Sequence, residues 1–457
     1  MLFRILLIIL LCPVLAVSQN NTLSGKISEI KDDYIYLHTF YGAENKRFDS
    51  IQVQPDGSFT YQFQNNAYKG MYRLRWGKNQ MMDIIYNDEN IRFQTTNNSI
   101  VDSLVYFHSP ENQLYFDYLQ KRNVCEFKLE LIYPLINMYP KDDPFYASIT
   151  KQYDIVNDEM SEWASSIVKQ HPNKFAARLI RSDYTPMPSS SLNEEQHVNF
   201  LKIHFFDNID FNDTSLLNSN LFSNKTIQYL SLYQNNRLDK DHLQVEYIKA
   251  VSIIMEKAKN SPEVYAYVMD YLINGFSSYG FEKVLTFIAD NIDLEDQCID
   301  EEKKALLEKK VDSHKKFSIG KQIPDIETID LKGNSVKLSS IESEYTILLF
   351  WATWCPSCKG LVNDLKKIYL PDNHHKLEIV AIAIDESKDE LEKFINDGDY
   401  NWINVCDFKK WKGDLVQQLD IYATPTMFLL DKSLTIQAKP ITYNELTNEL
   451  FKRNVLE

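Results

Sequence analysis

Glycine is scarce in this chain, 12 of 457 residues, and no low-complexity tract occurs, which excludes collagen-like and glycine-rich repeat architectures. Cysteine is scarce too. Of six, Cys12 lies in the apolar first segment, and Cys125, Cys298, Cys355, Cys358 and Cys406 make an odd, scattered set that is no disulfide framework. Basic residues are outnumbered by acidic ones, 49 to 64, and the net charge of −15 excludes an electrostatic grip on nucleic acid. No fixed-period repeat is present. What remains is an ordinarily globular composition, rich in Tyr (27) and Phe (25), over a length that suits two or three domains.

The opening MLFRILLIILLCPVLAVSQN has a cationic Arg4, an apolar core from Ile5 to Leu11, and Ala16-Val17-Ser18 as a small-x-small cleavage site. Residues 1–18 therefore read as a signal peptide, placing the protein in the periplasm or cell envelope. A retained membrane anchor needs about 20 apolar residues, more than this run supplies. A lipoprotein at Cys12 would need a small residue where Leu11 stands. After cleavage no transmembrane span is expected.

Residues 19–100 read as β structure. Segments 26–30, 34–40, 59–63, 71–76 and 82–86 are β-branched and aromatic, with turn signals at Asp32-Asp33, Pro55-Asp56-Gly57 and Asn87-Asp88. The expectation is an antiparallel β-sandwich of about seven strands. Residues 101–311 read as helical, with breaks at Tyr139-Pro140, His171-Pro172, Pro186-Met187-Pro188 and Ser261-Pro262, the last an N-cap with proline in the first turn. His197 and His204 share a possible helix face; a metal pair is weighed there against a structural role, and the structural role is favoured. Cys125 and Cys406 sit among apolar neighbours and read as buried thiols, whereas Cys298 stands in an acidic, polar stretch.

After a charged link at 311–316, strands and helices alternate through 317–457, which implies an α/β mixed sheet with helices on both faces. Its centre is YTILLFWATWCPSCKGL. Residues 345–351 are a nearly unbroken apolar run, as in a strand buried on both faces, and they deliver Cys355-Pro356-Ser357-Cys358 to the first turn of a helix. The free N–H groups and positive dipole end there favour a thiolate on Cys355. Pro356 costs the helix nothing at that position. Cys358, one turn in, is within reach of Cys355, and Lys359 adds positive charge. A zinc site would need a second ligand pair, and His374-His375 stand alone in a polar loop. A structural disulfide closing so small a ring would constrain the unfolded chain little. The pair reads as a redox dithiol.

A second signature follows, Tyr422-Ala423-Thr424-Pro425-Thr426 running into Met427-Phe428-Leu429-Leu430. With FWATWCPSC it resembles the thioredoxin superfamily, and more closely the exported TlpA/ResA-like thiol–disulfide oxidoreductases, over about 317–457. The segments SGKISEI, DSIQVQPDGSFTYQF and GMYRLRW are similar to the β module found ahead of such domains in Bacteroidetes envelope proteins. The resemblance implies that Cys355 is the exposed nucleophile, that Cys358 resolves the mixed disulfide, and that Pro425 is cis. It implies further that Thr424 pairs with the substrate backbone, and that Trp354, with Pro356, lines the substrate site. Trp351 reads as core. No cofactor or metal is implied; partners would be client proteins with disulfides or thiols and a membrane electron donor of DsbD or CcdA type. Apocytochrome c cysteines are among the clients so implied. The chain departs from the pattern at the proton carrier: the positions that hold an acid in such proteins are Leu349 and Leu361, and Asp364 is the near substitute. Two other readings stand beside reduction of client disulfides: a thiol peroxidase, which lacks an activating Arg here, and a docking protein with a vestigial thioredoxin domain.

Overall fold

A computed structural model describes residues 21–65, 67–294, 300–370 and 374–456. The segment read as a signal peptide, Cys298 and Pro371 lie outside the described residues. The chain divides into two compact units, 1–232 and 233–457.

The first unit begins with eight strands: β1 (Thr22–Ser28), β2 (Tyr34–Tyr41), β3 (Glu44–Gln52), β4 (Ser58–Gln62), β5 (Gly70–Trp76), β6 (Gln80–Tyr86), β7 (Ile91–Thr96) and β8 (Val105–His108). They make two four-stranded sheets, ordered β4-β1-β7-β8 and β3-β2-β5-β6. The pairing is antiparallel except between β1 and β7, which run parallel from Leu23 opposite Ile91 to Ser28 opposite Thr96. The seven strands expected over 19–100 are β1 to β7, β8 falls beyond that range, and the pairing is not wholly antiparallel. Its core joins both sheets through Leu23, Ile27, Ile35, Leu37, Tyr72, Leu74 and Phe93. Phe63 stacks on Tyr86 with ring centroids 3.8 Å apart.

Five helices complete this unit: α1 (Pro110–Met138), α2 (Pro144–Gln170), α3 (Phe175–Asp183), α4 (Glu194–His204) and α5 (Leu221–Ser231). The first three share a core of Tyr118, Cys125, Leu129, Tyr153, Met160 and Ile180. The expected breaks at 139–140, 171–172 and 186–188 fall between helices. β8 lies inside the region read as wholly helical; its residues VYFH are β-prone, but the strand is only four residues long and mostly exposed. His197 is buried against Tyr133, rings 4.4 Å apart, while exposed His204 pairs with Asp207 at 2.7 Å.

The second unit opens with α6 (Lys240–Ala258), α7 (Pro262–Ser278), α8 (Glu282–Asn291) and α9 (Glu301–Lys316). The charged link read at 311–316 is the last part of α9, held because Val311 is buried. Ser261 stands at the N-cap of α7 with Pro262 behind it, yet its side chain makes no capping bond. A short hairpin of β9 (Glu327–Ile329) and β10 (Ser335–Lys337) follows. Then come β11 (Tyr345–Trp351), α10 (Pro356–Leu365), β12 (Leu377–Ala383), α11 (Lys388–Gly398), β13 (Ile403–Val405), α12 (Asp414–Gln418), β14 (Thr426–Asp431), β15 (Ile436–Ala438) and α13 (Tyr443–Lys452). The sheet order is β13-β12-β11-β14-β15, parallel among the first three and antiparallel thereafter. β11 lies at the centre, and Ile347, Leu348, Leu349 and Phe350 on both its faces are fully buried.

Candidate active site

The end of β11 sets the site. A buried central strand leaves the sheet at Trp351, and Cys355 becomes the N-cap of α10, φ −88° and ψ 113°. Its sulfur accepts the Cys358 N–H at 3.3 Å, one of the orphan donors of a helix start. Cys355 and Cys358 are joined as a disulfide, Cα atoms 5.3 Å apart. Pro356 opens the helix where no intrahelical donor is needed. The Ser357 hydroxyl stands 3.3 Å from the Cys355 sulfur. Lys359 does not crown the dithiol; its ammonium lies over the Phe394 ring, 6.0 Å from the centroid.

Across from the disulfide is the loop before β14. The Thr424–Pro425 peptide is cis, and the Thr424 carbonyl oxygen is 3.6 Å from the Cys355 sulfur. Trp354 is half-exposed and edge-on to Trp411, centroids 6.2 Å apart. Tyr422 is also exposed. Trp351 is buried against Phe394 at 5.5 Å, as core.

One expectation needs correcting. Cys355 is not openly exposed: it is 5 % accessible, and Cys358 is fully buried. Local spacing placed the sulfur at a helix tip, but the tip is covered by the Thr424 loop and by neighbouring side chains, which sequence spacing does not reveal. α10 is short, ten residues from Pro356. It ends at Leu365, and Ile368 follows in a turn.

Leu349 and Leu361, where an acid was sought, are both buried. Asp364 pairs with Lys367 at 2.6 Å. A buried carboxylate does adjoin the motif, and sequence reasoning missed it. Asp385, just beyond β12, accepts the Thr353 N–H at 3.2 and 3.3 Å and the Thr353 hydroxyl at 2.5 Å. It pins the loop that carries Trp354 and Cys355. The available signal was an acidic residue directly ending the apolar run 377–384. Cys406, half-buried beside it, has its thiol pKa pushed up by burial. The same cause raises that of buried Cys125.

A sheet with one parallel and one antiparallel flank, a disulfide capping the helix after its central strand, and a cis-proline loop opposite define a thioredoxin-like domain. Residues 319–439 match the AhpC/TSA family, residues 21–115 match the domain of unknown function DUF4369, and residues 150–314 match DUF5106. The C-terminal domain is homologous to ResA thiol–disulfide oxidoreductases. It is 27 % identical over 117 residues to ResA of Bacillus thuringiensis, covering 26 % of this chain and 66 % of that protein, just under two thirds. It is 28 % identical over 138 residues to ResA of Geobacillus kaustophilus, covering 30 % and 76 %. A domain of a possible thiol–disulfide isomerase from Cytophaga hutchinsonii is 32 % identical, with 30 % of this chain and 93 % of that one covered, at a TM-score of 0.27.

Proposed function

We propose that the protein is an exported thiol–disulfide oxidoreductase that reduces disulfides of client proteins through Cys355 and Cys358. The observation carrying this reading is the Cys355–Cys358 disulfide at the start of α10, facing the Thr424–Pro425 loop. In the reduced protein the Cys355 thiolate, favoured by the helix N–H groups, attacks one sulfur of a client disulfide. A Cys355–client bond forms, and the client's other sulfur leaves as a thiolate and takes up a proton. The Cys358 thiolate then attacks Cys355, and the second client sulfur leaves reduced. Two electrons pass to the client, and the protein is left as the disulfide. Trp354, Pro356, Thr424 and Pro425 border the sulfur that the client approaches. A membrane dithiol donor of DsbD or CcdA type would restore the reduced state, since each turnover consumes the pair.

Export rests on the charged-then-apolar first segment; among the described residues no helix is long and apolar enough to cross a membrane. The peroxidase reading finds no support in the site. The second unit contains only Arg237 and Arg453, and Arg453 is engaged by Glu449 and the Gln437 carbonyl.

Insulin reduction in the presence of dithiothreitol tests the proposal. The wild-type chain should accelerate it and Cys355→Ser should not, while Cys358→Ser should accumulate a mixed disulfide on Cys355. Equal rates with and without the wild-type protein would refute the reading.

A further inference from the structure

The second unit holds a cavity of about 640 Å³ beside the disulfide, and only one of its walls comes from the thioredoxin-like sheet and helices. That wall includes Leu361, Thr424 and Pro425. The facing wall includes Ile273 and Ser277 of α7, Leu285 of α8, and Val311 and His314 of α9. The helical wall is fixed in place. Glu282 of α8 binds Lys439 at 3.1 Å with both side chains largely buried, and Lys240 of α6 binds Glu445 of α13 at 2.7 Å. At the bend between α7 and α8, Gly280 has φ +61°, and a Cβ there would stand 3.2 Å from Ile441. The positive φ and the close approach of Ile441 both favour glycine at that turn.

We infer that α7 and α8 form the outer half of a cleft that receives an extended polypeptide segment of the client next to its reacting cysteine. This rests on the dithiol-exchange reading above. A client sulfur bonded to Cys355 lies beside Thr424, which lines the cavity as well as facing that sulfur. Extended chain advances about 3.3 Å per residue, so residues next to the client cysteine lead from Thr424 into the cavity that it lines. The lining is mixed, apolar at Ile273, Leu285 and Leu361 and polar or charged at Ser277, Glu282 and Lys310. A peptide with alternating side chains suits such a surface. A small disulfide needs only the sulfur and leaves the far wall untouched.

Discrimination between substrates tests this in the full-length chain. Ser277→Trp fills the cleft from the helical side. It should lower kcat/KM for insulin about tenfold more than the rate at which the reduced protein consumes 5,5′-dithiobis(2-nitrobenzoic acid). Val245→Trp, on an exposed face of α6, should leave both rates at wild-type values. A second measurement needs no substitution in the wall. In Cys358→Ser carrying insulin B chain as a mixed disulfide, amide hydrogen exchange across residues 273–280 should slow relative to the peptide-free protein. Equal losses toward both substrates, no loss with either, or unchanged exchange at 273–280 would overturn the cleft. A wild-type protein that reduces neither substrate would instead sink the oxidoreductase reading, and the cleft with it.

Discussion

Lys225 of α5 is buried in the first unit, its ammonium donating to the Asp183 carbonyl at 2.5 Å and the Thr185 hydroxyl at 2.7 Å. Burial pulls its pKa down to about 8 from 10.5. Between those values the unfolded chain keeps a proton that the folded chain has released, so stability rises with pH there. Lys225→Met should remove that gain, seen as a smaller difference between urea midpoints at pH about 7.5 and about 9.5 than the wild type shows. His314 gives the opposite flank. Burial lowers its pKa, so as pH falls below 6.5 the unfolded chain takes a proton that the folded one resists, and stability is lost. His314→Gln should flatten that acid limb of the midpoint-versus-pH curve. At the disulfide, Asp385→Ala would strand the Thr353 N–H and hydroxyl, a cost of roughly 1–3 kcal/mol. Asp385→Asn keeps an acceptor and should cost less; thermal melts of both variants rank them.

Among the elements, α1 is tied to an edge strand of the sandwich through the Asn112 side chain. Asn112 accepts the Ile85 N–H and donates to the Ile85 carbonyl, each at 2.7 Å, and so occupies the open side of β6, the last strand of its sheet. An edge strand otherwise leaves such groups bare. Asn112→Ala should cost roughly 1–3 kcal/mol for the stranded pair, read as a lower denaturant midpoint with unchanged slope. The same scale shows what the sequence makes legible. β11 could be bounded from residues alone because both its faces are buried and all of the run but Thr346 is apolar or aromatic. β3 left no such mark: of its nine residues only Ile51 is buried. The parallel pairing of β1 with β7 depends on chain segments far apart, and no local pattern encodes it. The partners of Asp385 were hidden for a related reason, since Thr353 lies 32 positions away and only the sheet brings them together.

For the molecule as a whole, the compact boundary falls at 232/233, so α6 to α9 share a unit with the thioredoxin-like domain. DUF5106, matched over 150–314, runs across that boundary. A fragment of residues 233–457 should therefore melt cooperatively. A fragment of residues 317–457 loses the partners of Lys439 and Glu445 and should melt at a lower temperature; calorimetry of the two pieces decides. The cis-proline motif and the CPSC motif were readable because each is short and contiguous. The shielding of Cys355 was not, because it comes from a loop distant in sequence.

That shielding has a chemical consequence for the protein at rest. Little of Cys355 is open to a second copy, whereas Cys358 is already adjacent to its mate, Cα atoms 5.3 Å apart. Oxidation in air should therefore close the ring within one molecule faster than it stitches two together. Electrophoresis without reductant would then show a single band at monomer mass, even after days of storage.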